Sequence, residues 1–142
     1  MAALILAANV AAAADPALRG KDLDTVVQVS STEGPNMGKY LGRTFADIGL
    51  FMKVRKAGKE IFLDLVGMDK ALHPTFVDNI YLACPVNESN PFYKLAASGS
   101  VQRGDNINMT GVIADVIGDK DESGTSISVV KFKPGCTVSK RN

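Results

Sequence analysis

The stretch Arg43-Thr44-Phe45-Ala46-Asp47-Ile48-Gly49-Leu50-Phe51-Met52-Lys53-Val54-Arg55, continuing through Lys56-Ala57-Gly58 to Glu60-Ile61-Phe62-Leu63-Asp64-Leu65-Val66, decides the fold. Ile48, Leu50, Met52 and Val54 alternate with Gly49, Phe51, Lys53 and Arg55, the period-two pattern of a strand with one face in a core and the other in solvent. Phe45 is out of step with Ile48. A bulge near Asp47 or Gly49 is expected to bring both to the core side and to bend the strand. Lys56-Ala57-Gly58 reads as a hairpin connection, and residues 60–66 return as a second strand with Ile61, Leu63 and Leu65 inward and Phe62 and Asp64 outward.

Working outward from this hairpin, residues 67–78 form a connection containing His73-Pro74, and Asn79 to Val86 is a third strand ending at Cys84-Pro85. Asn90 supplies an N-cap and Pro91 the first helical position, so a short helix over 91–98 closes at Gly99. Asn106 to Ile117 is a fourth strand, with Ile107 and Met109 inward and a kink at Gly111. Residues 118–124 are a turn, and Thr125 to Phe132 is a fifth strand. Residues 15–39 are a loop-rich N-terminal extension with a short strand at Thr25 to Val29 and a turn at Glu33-Gly34-Pro35-Asn36. Residues 134–142 are a C-terminal tail. Three strands, a short helix and two strands, placed at 40–133, give an all-β five-stranded Greek-key barrel of the oligonucleotide/oligosaccharide-binding (OB) type.

Two segments carry a family resemblance. Leu41-Gly42-Arg43-Thr44-Phe45 through Lys59-Glu60-Ile61-Phe62-Leu63-Asp64-Leu65 resembles the opening of OB domains of the tRNA-anticodon-binding-like superfamily, with a glycine-marked first strand and an apolar-Asp second strand. Val101-Gln102-Arg103-Gly104-Asp105-Asn106-Ile107-Asn108-Met109-Thr110-Gly111 is similar to that family's entry into its fourth strand. Gly104-Asp105 suits the turn after the helix, and Gly111 lets the following strand bend. The resemblance implies an OB domain of an exported member. The family includes nucleic-acid binders and exported proteins with other partners, so the fold alone does not select a ligand.

The chain has 142 residues, 46% apolar and 22% charged, which is enough to bury one core. Its net charge of +1 does not by itself call for a phosphate-rich partner. Residues 1–14 carry no charge and form an Ala-rich apolar run ending at Asp15-Pro16, with the small residues Ala12 and Ala14 placed for signal peptidase. The run lacks a basic leading region. Cleavage after Ala14, and a periplasmic or otherwise exported mature protein, are the expectation. The run is too short for a membrane span of about 20 residues, so no integral span is expected after its removal. Cys84 and Cys136 either pair as one disulfide in an oxidising compartment or stand as free thiols. Asn87 and Asn108 head glycosylation tripeptides that matter only in a eukaryotic secretory route.

Little in the sequence points to catalysis. His73 is the single histidine, no ligand set at metal spacing accompanies it, and no nucleophile elbow, Walker loop or dinucleotide fingerprint is present. Asp22 with Asp24, and Asp119 with Asp121, read as solvated loop charge without calcium-loop spacing. No catalytic residue, metal or cofactor is expected. An OB barrel binds across its second and third strands, with the loops between strands one and two and strands four and five closing over the ligand. Here Lys53, Arg55, Lys56 and Lys59 make the first loop region basic, whereas Asp115, Asp119, Asp121 and Glu122 make the second acidic. Phe51, Phe62 and Tyr81 are either stacking surfaces or packing residues. The expected ligand-binding set is therefore Phe51, Lys53, Arg55, Lys56, Lys59, Phe62 and Tyr81. An acidic rim opposes a phosphate backbone, so the favoured function is an exported, non-enzymatic binding module in an envelope or secreted assembly, with a protein partner. The alternative is a single-stranded nucleic-acid binder.

Overall fold

The hairpin at the centre of the sequence reading is the first link of a closed set of strand pairings in a computed structural model, which describes residues 16–23, 25–27, 39–67, 80–120 and 122–141. Strands β1 (Thr44–Ala57) and β2 (Glu60–Gly67) are antiparallel, with Ala57 opposite Glu60. Gly58 opens the two-residue turn between them at φ 62°, a conformation glycine adopts without penalty. Strand β3 (Ile80–Val86) lies antiparallel to β2 and parallel to β5 (Ser126–Phe132). Strand β4 (Asn106–Lys120) pairs with β5 through its second half and with β1 through its first, so the order β1-β2-β3-β5-β4 returns to β1 as a ring.

A sixth strand, β6 (Thr137–Lys140), pairs with the outer edge of β4 at Ile107 to Thr110. It falls where the sequence suggests a tail: four residues, half of them hydroxyl-bearing, carry too little apolar pattern to read as a strand. Cys136, just before it, is bonded to Cys84 of β3, with 5.9 Å between the two Cα atoms. The sequence left pairing and free thiols open; the bridge anchors β6 to the opposite side of the ring.

Helix α1 (Pro91–Ala97) lies between β3 and β4. The Asn90 side chain accepts a hydrogen bond from the Tyr93 N–H at 3.0 Å, and Pro91 occupies the first turn, where a missing N–H costs nothing. Its Phe92 is buried edge-on against Phe51, with ring centroids 5.3 Å apart. Phe45, Leu63, Leu65, Leu82, Ile107, Ile113 and Val130 fill the interior of the ring. Gly111 is where strand β4 passes the Phe132 ring: a Cβ there would lie 2.6 Å from a ring carbon.

The N-terminal segment is part of this core. Leu18 bridges to Phe45 in parallel, and Leu23 and Val26 are fully buried. Asp47 holds the segment by accepting from the Gly20 N–H at 2.7 Å and from the Arg19 guanidinium at 2.9 Å. The short strand expected at Thr25 to Val29 is corrected: residues 25–27 are helical and follow a 3₁₀ turn at Gly20–Asp22. Burying Leu23 and Val26 together needs the three-residue spacing of a helix, which outweighs the β-branched composition. The signal-like run 1–14, the turn at 33–36 and His73 lie outside the described residues. No helix among the described residues is long and apolar enough to cross a membrane.

Candidate binding groove

The site begins with a register shift in β1. Phe51 is opposite Leu65 and Lys53 is opposite Asp64, so Met52 is an extra residue in the ladder. A bulge reverses which face the following residues present. Before it, Phe45, Gly49 and Phe51 are buried; after it, Val54 packs on the core while Lys53 and Arg55 face outward. The bulge expected near Asp47 or Gly49 is thus at Met52, and the inward set Ile48, Leu50 and Met52 is corrected to half-buried positions. Phe51 is corrected with it: at 4% exposure against Phe92, it is a core residue and does not line the groove described below. Gly49 allows this phase, because a Cβ there would collide with the Val66 carbonyl and Met109.

The turn after α1 is fastened to the same point. The Gly104 N–H donates to the Phe51 carbonyl at 2.8 Å and the Phe51 N–H donates to the Asp105 carbonyl at 3.0 Å. Asp105 also accepts from the Gln102 N–H at 2.9 Å, and Gly104 takes φ 91°. These contacts fix the backbone on both sides of Arg103.

On the outer face of β2, β3 and β5, Phe62, Ala83 and Val129 form a second apolar cluster with Ile117 and Ile127 against it. Arg55 covers Phe62, its guanidinium 4.6 Å from the ring centroid, and the Lys131 ammonium lies 5.6 Å from the same ring. Arg55 also donates twice to Asp64, at 2.9 and 3.2 Å. Asp64 is the buried charged residue of the described chain, and this fork supplies the paired, hydrogen-bonded environment that a buried carboxylate requires.

Beside this pair lies a groove of about 300 Å³, at the lower end of the range for ligand sites. Met52, Tyr81, Ile127 and Val129 give it an apolar floor. Its charged lining comprises Lys53, Arg55, Arg103 and Lys120 against Asp64, Asp119 and Glu122, one cation in excess. The two rims touch where the Lys53 ammonium meets the Glu122 carboxylate at 2.9 Å. This pair is exposed and contributes little to stability; its consequence is that the basic first loop region and the acidic turn after β4 share one groove.

Of the residues singled out in the sequence, Lys53, Arg55 and Tyr81 line the groove together. Phe62 is on the outer face, as alternation requires, but is buried beneath Arg55 and Lys131. Lys56 and Lys59 are exposed on the hairpin and do not line the groove. Arg103, Lys120, Ile127 and Val129 are additions. Arg103 flanks a recognisable Gly-Asp turn, but its proximity to β1 depends on where β4 re-enters the sheet. Among the described residues, no three His, Cys, Asp or Glu side chains come together as a metal site. No family model, curated protein or solved structure matches the chain.

Proposed function

We propose that the ring is an OB-type barrel and that the chain works as an exported, non-enzymatic binding module, a protein-interaction subunit of an envelope or secreted assembly. The strand order β1-β2-β3-β5-β4, the β1–β4 closure and the helix between β3 and β4 support the OB assignment. The Cys84–Cys136 bridge supports an oxidising compartment, as does the signal-like run at 1–14.

The observation that carries the functional reading is the mixed charge of the groove. Arg55 is engaged by Asp64 and Lys53 by Glu122, so two of the four cations that could grip a phosphate backbone are already partnered. A polyanion would meet Asp119 and Glu122 along the same wall. A protein segment carrying both signs avoids that conflict.

Single-stranded nucleic acid stays the second reading because Tyr81 lies in the groove among cations, as a base-stacking platform would. Photo-cross-linking distinguishes the two. A photoreactive amino acid at Tyr81, in the chain expressed in its native host, is expected to yield protein adducts that the same probe at Lys56 does not. Submicromolar binding of a single-stranded oligonucleotide with steep salt dependence would instead promote the nucleic-acid reading.

A further inference from the structure

We propose that the groove receives a short peptide segment in which a large apolar side chain is next to a carboxylate. The apolar group would sit on Ile127 and Val129, and the carboxylate would face Arg103 and Lys120. This rests on the protein-binding reading above and names the chemistry of the partner.

Arg55 and Asp64 neutralise each other, as do Lys53 and Glu122. Asp119 places one carboxylate oxygen on the backbone N–H of Lys120 at 2.8 Å. Among the described residues, Arg103 and the Lys120 ammonium have no anionic partner, and the Tyr81 hydroxyl makes no hydrogen bond. Among its described lining, the groove therefore offers two cations and one hydroxyl donor beside an apolar floor, with Asp119 the one carboxylate not paired to a cation and one positive charge in excess.

An apolar segment without charge would bury that floor but take water from Arg103 and Lys120 without replacing it, which is unfavourable. A basic segment would add a third cation. A carboxylate gives both cations charge-assisted hydrogen bonds, and its single charge keeps it away from Asp119 and Glu122 more easily than a chain of phosphates. The size of the groove admits one or two side chains. The backbone that carries Arg103 is set, since its turn is pinned to Phe51 by two backbone hydrogen bonds, so binding has only the side chain to order.

The test uses the full chain and fluorescein-labelled Gly/Ser peptides containing an aspartate followed by a phenylalanine. Control peptides replace the aspartate by asparagine or lysine, or the phenylalanine by serine, and an oligothymidylate serves as polyanion. Fluorescence anisotropy should show the aspartate–phenylalanine peptide binding about tenfold more tightly than each control, the scale of one charged hydrogen bond. Arg103→Glu should reverse the preference to the lysine peptide, with the urea midpoint unchanged because the side chain is exposed. Ile127→Ser should erase the advantage of phenylalanine over serine. Equal binding of the aspartate, asparagine and lysine peptides, or tighter binding of the lysine peptide by the unaltered protein, would overturn the acidic–apolar class and leave the protein-binding reading standing. Binding of oligothymidylate alone would overturn both, and absence of binding to every peptide would overturn the proposed class.

Discussion

Arg55 and Asp64 are joined by two hydrogen bonds across the outer face of the ring, and their surroundings differ: the carboxylate side chain is 7% exposed and the guanidinium 32%. Losing one partner is therefore not equivalent to losing both. Arg55→Met should leave a buried carboxylate without its charged donor and lower stability by about 2 kcal/mol, moderated because the site is partly wet. Arg55→Met combined with Asp64→Leu should recover most of that loss. Urea unfolding would show the single variant with a lower midpoint at unchanged slope; additive losses in the double variant would contradict this account.

Phe51 and Tyr81 offer a direct contrast between core and groove. Phe51→Ala removes a ring packed on Phe92 and should cost about 3–5 kcal/mol. Tyr81→Ser, at a half-buried position lining the groove, should cost clearly less and act on binding. Thermal and urea unfolding of the two variants check the order, and a Phe51→Ala protein of near-normal stability would return that residue to the outer face.

These two residues also show how far the sequence could be read. The strands, the helix and its Asn90 cap were legible because period-two alternation and capping chemistry are local. The phase of β1 was not. Ile48, Leu50 and Met52 compete with Phe45, Gly49 and Phe51, both sets are apolar enough to face a core, and alternation cannot choose between them. Phe45 and Phe51 are an even number of positions apart and share a face without any bulge, a signal that favoured the observed phase. Lys53 and Arg55 were placed outward correctly because the bulge at Met52 restores the expected phase after it. Strand β6 and the place of Arg103 depend on non-local pairing with β4 and β1, which no local pattern encodes.

The Cys84–Cys136 bridge closes a long loop, with a sequence separation of 52. By chain entropy alone, such a loop corresponds to about 4 kcal/mol. Replacing both cysteines by Ala should lower the urea midpoint accordingly and loosen β6 first, since that strand pairs with β4 through four positions alone. Hydrogen exchange at residues 137–140 would read that loosening. Unchanged protection in the variant would mean that β6 is held by its backbone pairing without the bridge.

The proposed export rests on Ala12 and Ala14, small residues of the kind that signal peptidase requires. Expressed from Met1 in a bacterial host, the chain should be recovered from the periplasm with Asp15 as its first residue. Intact-mass measurement decides the cut site, and recovery of uncut chain from the cytosol would remove the export argument.

The acidic wall of the groove is expected to keep single-stranded nucleic acid out, and reversing it should let nucleic acid in. In the unaltered protein, Asp119 and Glu122 face Lys53, Arg55, Arg103 and Lys120, and Glu122 occupies Lys53 directly. Binding to an oligothymidylate should then be weak or undetectable at physiological salt. Asp119→Lys with Glu122→Lys adds two cations, removes two anions and frees Lys53, leaving Asp64 as the sole carboxylate among the groove's described lining, itself engaged by Arg55. Such a groove gains counterion release with each phosphate it contacts. The double variant should bind the oligonucleotide, with log K falling against log salt by about 0.7 for each phosphate engaged. Lys56→Glu with Lys59→Glu, on the exposed hairpin, should change this binding far less than Arg103→Glu. Tight, salt-sensitive oligonucleotide binding by the unaltered protein, or none by the double variant, would show that charge on this wall does not control what the groove accepts.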